Sequence, residues 1–113
     1  MTPFQTTLVS FTSSITLPSD QRLTIEFVTV WCESREIAVG TTFVALMTRI
    51  GETNVNHFFF PRFVLVNDVG LNIYGTTEAV RIYADAGTTV RLDHMDNSHF
   101  RYFVTLSGFL SPA

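Results

Sequence analysis

The sequence predicts one all-β domain over residues 1–113, an antiparallel β-sandwich of jelly-roll-like kind with about eight strands. Three observations carry that expectation. Apolar residues recur with a period of two in Arg22–Glu33 and Phe100–Leu110, as in strands with one buried face. Clusters of Gly, Asn, Asp and Thr separate short apolar segments at the spacing usual in sandwiches. A chain of 113 residues, 46% hydrophobic and with eleven phenylalanines, suffices for one domain that folds alone, and such a chain is not disordered.

Arg22–Glu33 (RLTIEFVTVWCE) is the first clear strand. Strict alternation sets Leu23, Ile25, Phe27 and Trp31 on one face and Thr24, Glu26, Val28, Val30 and Cys32 on the other, with Trp31 expected in the core. The strand starts exposed and runs into the interior before Ser34 and Arg35 turn the chain. Glu36–Ile50 follows, with Gly40 as a bulge or bend, and is expected to pair with its predecessor as a hairpin. Strand is preferred to helix for Phe43–Ile50, because no capping box precedes it and Thr41 and Thr42 are poor helix formers.

Gly51–Asn56 reads as a polar loop, and His57–Val66 (HFFFPRFVLV) is the most hydrophobic segment, with Pro61 marking a sheet edge or bulge. His57 reads as a strand-entry residue. Asn67–Gly70 has turn chemistry, Leu71–Tyr74 is a short strand, Gly75–Glu78 another turn, and Val80–Ala84 a further strand.

Asp85–Thr89 turns the chain into Val90–Met95, and Asp96-Asn97-Ser98 has the length of a hairpin loop. Closing that loop with Met95 opposite His99 sets Val90 against Val104, Leu92 against Tyr102 and Asp93 against Arg101, so apolar residues meet and one ion pair forms. The last strand then sends Phe100, Tyr102, Val104, Leu106 and Leu110 to the core and turns Phe103 away from it.

Composition removes several functions. Only 15% of the residues are charged and the net charge is −3, which offers no handle for polyanions and makes nucleic acid an unsuitable partner. All seven basic residues are arginines, so lysine Schiff-base chemistry and lysine-dependent phosphate loops are absent. Cys32, the single cysteine, cannot form an internal disulfide and reads as a small buried hydrophobe. The sequence shows no signal-peptide pattern and no apolar run long enough for a membrane helix, so the expectation is a cytoplasmic chain without membrane insertion; a secreted or cell-surface fragment is the other option.

Chemistry is sparse. Asp93-His94-Met95-Asp96-Asn97-Ser98-His99 holds the side-chain types that ligate Zn²⁺ or Ca²⁺; Asp93, Asp96 and His99 form the candidate metal set, against the simpler reading of a solvated hairpin tip. No nucleophile elbow occurs, since Leu106-Ser107-Gly108 lacks the first glycine, and no carboxylate pair stands out. The chain is therefore read as a non-enzyme without a cofactor. Tyr74 and Tyr83, placed beside turns, are the candidate ligand-binding aromatics for stacking on a sugar. Arg49, Arg62 and Arg81 punctuate apolar strands and are the candidate interface residues. Apolar residues on both faces of several strands exceed what one sandwich buries, which points to a homo-oligomer.

The closing segment Leu106-Ser107-Gly108-Phe109-Leu110 resembles the S-G-F-L strand that ends the C1q and tumour-necrosis-factor-like jelly rolls. The match spans about five residues. It implies a sandwich that assembles through aromatic faces, as trimers in those families, and that binds protein or other ligands without catalysis. Two readings of function result: a binding or structural module that self-associates through an apolar strand face, and a lectin-like carbohydrate-binding module, metal-assisted or not.

Overall fold

Alternating side chains arrange the chain into two antiparallel sheets packed face to face. The computed structural model describes residues 1–10, 13–36, 42–95 and 100–113, with the backbone alone of residues 94 and 95. The strands are β1 (Thr2–Val9), β2 (Ser14–Thr16), β3 (Gln21–Ser34), β4 (Val44–Ile50), β5 (Thr53–Phe59), β6 (Arg62–Val66), β7 (Asn72–Ala84), β8 (Thr89–Met95) and β9 (Arg101–Pro112). A five-stranded sheet in the order β1-β9-β3-β7-β6 covers a four-stranded sheet in the order β2-β8-β4-β5. With β6 set aside, this is jelly-roll order, in which the chain repeatedly changes sheet between consecutive strands. The all-β sandwich read from the sequence is thus present, with nine strands among the described residues rather than about eight.

The core lies between the sheets. Leu23, Ile25, Val28, Val30 and Cys32 of β3 meet Val44 and Leu46 of β4, Val90 and Leu92 of β8, and Tyr102, Val104 and Leu106 of β9 in one buried cluster. Leu110 packs against the cluster from the end of β9. The inward residues of β9 are those that period two selects, and Cys32 is buried as expected.

Several local expectations fail, and for one reason: strands adjacent in sequence are not always adjacent in a sheet. β3 and β4 form no hairpin; β3 pairs with β7 and β9, and β4 with β5 and β8. β8 and β9 also lie in opposite sheets, so the Val90–Val104 register and the Asp93–Arg101 pair do not form. Arg101 instead reaches Glu33 at 3.5 Å, and Asp93 reaches Arg91 at 3.7 Å. The loop residues Asp96–His99, like Gly40, lie outside the described residues.

Two turns are also misplaced by local chemistry. Thr53–Asn56 belongs to β5, leaving Gly51 and Glu52 as the turn, with Gly51 at φ 58°. Gly75–Glu78 belongs to a continuous β7, where it pairs with Val28–Trp31 of β3. Strand is correct for Val44–Ile50, and Phe60-Pro61 divides the apolar run into β5 and β6, which lie in different sheets.

Candidate functional site

A β-bulge decides which side chains the five-stranded sheet turns outward. On β3, Leu23 and Ile25 are buried, the pairing shifts between Ile25 and Phe27, and thereafter Val28, Val30 and Cys32 are the buried residues. Glu26 is the extra residue of the shift, and a bulge of one residue reverses every side chain that follows. Phe27 and Trp31 therefore leave the core face and stand 52% and 45% exposed. Trp31 is thus a surface residue, not the core residue that alternation predicts.

The register assembles these residues into rows across the sheet. Val9, Phe103, Trp31 and Gly75 occupy one row, Gln5, Ser107, Phe27 and Ala79 another, and Pro3, Phe109, Thr24 and Tyr83 a third. Between the first two runs a row of threonines, Thr7, Thr105, Thr29 and Thr77, in which Thr7 bonds Thr105 at 2.9 Å and Thr29 bonds Thr77 at 3.2 Å. The hydroxyls satisfy one another across the strands and leave their methyls in line with the aromatic rows. Tyr83 is 43% exposed, while Phe103 and Phe109 are partly buried on the same face.

The outer face of the four-stranded sheet differs in character. Ser14 and Thr16 of β2, Thr89, Arg91 and Asp93 of β8, and Asn54 and Asn56 of β5 supply polar side chains there, with Thr16 and Thr89 bonded at 3.2 Å. Phe58, in contact with Phe43, is an exposed aromatic on that side. A sheet with one core face and one polar face is the ordinary antiparallel arrangement. The five-stranded sheet departs from it.

At one end of the aromatic face, Glu33, Ser34, Arg35, Glu36, Leu71 and Arg101 line an open cleft. Its groups are largely engaged with each other. Arg101 pairs with Glu33 and sits 5.3 Å over the Phe103 ring, the Glu36 backbone N–H donates to Ser34 Oγ at 3.0 Å, and Asn72 Nδ2 donates to the Glu36 carbonyl at 3.2 Å.

The candidate residues from the sequence are dispersed. Tyr74 is buried at 6%, against Phe63 and Phe100 at centroid distances of 5.7 and 5.3 Å, so its ring is withheld from a ligand; Tyr83 remains open. Arg49 lies on β4 and donates from Nε to the Gly51 carbonyl at 3.2 Å, whereas Arg62 and Arg81 are on β6 and β7 of the other sheet, so the three form no single patch. Of the metal candidates, Asp93 is on β8 beside Arg91, and Asp96 and His99 lie outside the described residues. His57 sits within β5 rather than at its entry, with Nε2 3.0 Å from the fully buried Thr48 hydroxyl, and partial burial lowers its pKa from 6.5.

Sequence reasoning missed Phe27, Trp31 and Phe103 as a shared surface. Alternation put Phe27 and Trp31 on one face and turned Phe103 outward, but it could not show that the Phe27 and Trp31 face is the outer one. Compared with family models, curated proteins and solved structures, the chain has no match in any of the three.

Proposed function

We propose that this domain is a non-catalytic binding or structural module that self-associates through the outer face of its five-stranded sheet. The observation that carries the reading is the pair Phe27 and Trp31, turned out of the core by the β3 bulge and flanked by Phe103. Each large apolar side chain left in water forgoes about 1.5–3 kcal/mol of burial, so a face built from several of them gains by meeting another surface. The brief likeness of Leu106–Leu110 to jelly rolls that assemble through aromatic faces points the same way. Light scattering at several protein concentrations tests it. A closed oligomer that Phe27→Ser and Trp31→Ser dissociate supports the proposal, and a strict monomer overturns it.

A lectin-like module is the second reading, favoured by the exposure of Tyr83 and Trp31 on one sheet face, where sugar rings could stack. Glycan-array binding by a monomer, lost in Trp31→Ser, would select it over self-association.

A further inference from the structure

A second apolar surface lies at the β6 edge of the same sheet, beside the aromatic face: Arg62 continues the row of Phe103, Trp31 and Gly75, and Val64 Cγ2 lies 3.7 Å from where a Cβ on Gly75 would stand. Among the described residues, β6 has one strand neighbour, β7, and all five of its residues are exposed. Phe63, Val64, Leu65 and Val66 are 46–56% exposed, and Phe60 and Val69, at 51% and 69%, extend the patch at either end. Edge strands are ordinarily guarded by charge, proline or distortion. Here Arg62 and a register shift between Phe63 and Leu65 do the guarding, and the shift breaks the ladder at Val64. The broken ladder leaves side chains, rather than a regular row of backbone groups, as the surface that β6 offers.

The patch has the charge pattern of a contact with its own copy. Its six apolar residues leave roughly 600 Å² exposed over the two sides of the strand, at the low end of the ~800 Å² per partner of a standard interface. Arg62 stands at one end of the run and Asp68 follows its other end, in a turn held by Asn67 Oδ1, which accepts from the Val69 and Leu71 N–H groups at 3.1 and 3.0 Å. Among the described residues neither Arg62 nor Asp68 is in an ion pair. An apolar run with a cation at one end and an anion at the other is complementary to itself turned end for end, which is what a twofold axis requires.

We infer that β6 forms a twofold contact between two copies of the chain, with Phe63–Val66 packed across the axis and Arg62 of each copy beside the partner's Asp68. Light scattering of the full chain over a concentration series tests this with Leu65→Lys, Arg62→Asp, the double charge swap Arg62→Asp with Asp68→Arg, and Trp31→Ser as the comparison. All four positions are exposed, and circular dichroism serves to check that each variant keeps its fold.

Leu65→Lys is expected to halve the mass. Arg62→Asp is expected to weaken the pairing at least roughly tenfold, and the swap to restore it, because repulsion at an interface rim is reversed when both signs are exchanged. A wild-type mass for Leu65→Lys, or a swap no better than Arg62→Asp, overturns the inference. If Trp31→Ser alone gives monomers, the edge contact fails and the aromatic-face reading stands. If Leu65→Lys alone gives monomers, the edge contact stands and the aromatic-face reading fails.

Discussion

Gly108 lies opposite Ile25 where β3 bulges, and a Cβ on Gly108 would overlap the Thr24 carbonyl oxygen and stand 3.0 Å from the Ile25 Cα. Glycine alone lets the two backbones approach this closely, which gives a physical role to a residue first noticed in the closing S-G-F-L segment. The same bulge turns Phe27 and Trp31 outward, so the interior glycine and the exposed aromatics are consequences of one piece of geometry.

Gly108→Ala is accordingly expected to cost about 3 kcal/mol, since the obstacle is backbone and cannot rotate away. Urea unfolding monitored by circular dichroism measures it. A loss below about 1 kcal/mol would show that the strands separate easily and would contradict the close approach.

Neighbouring aromatics on β9 should behave unequally. Tyr102 is fully buried, with its ring stacked on Phe100 at 6.2 Å, while Phe103 is partly buried on the outer face beneath Arg101. Tyr102→Ala is expected to cost about 3–5 kcal/mol and Phe103→Ala about 1–2 kcal/mol in the monomer. The reverse ranking would place the wrong face of β9 in the core.

His57 makes stability depend on pH in a stated direction. Its folded pKa is lowered by burial, so below pH 6.5 the unfolded chain takes up a proton that the folded chain resists. Stability is retained above that pH and declines as the pH falls through 6.5 toward the lowered folded value. His57→Gln is expected to flatten this part of the profile in denaturant midpoints measured between pH 7.5 and pH 5.5, and an unchanged slope would remove His57 as the cause.

Trp31 is the single tryptophan and reports directly on its face. In dilute protein its emission is expected to be that of a half-exposed indole, accessible to a soluble quencher. Raising the concentration into the associated range should shift the emission to the blue and protect it from quenching. Emission that stays constant while the mass rises would place the contact elsewhere.

Period-two alternation identified the buried side of β9 from Phe100 to Leu106 and predicted strand for Val44–Ile50, because both depend on the chain's own backbone and on side-chain polarity. The hairpins drawn from the same pattern were wrong. Val90 and Leu92 suit a face opposite Val104 and Tyr102 as well across the core as beside them in a sheet, and hydrophobic matching does not distinguish the two. Gly75–Glu78 shows the same limit in a turn: glycine and threonines resemble a chain reversal, yet β3 pairs with them throughout.

By itself, then, the sequence determined an all-β sandwich, the residues able to fill its core and the absence of lysine chemistry, since these rest on local periodicity and composition. Tertiary structure decided which strands are neighbours and which way Phe27 and Trp31 point. The physical reason is that a bulge belongs to two strands at once: one extra residue on β3 against β9, accommodated by Gly108, exchanges core and surface for the rest of the strand.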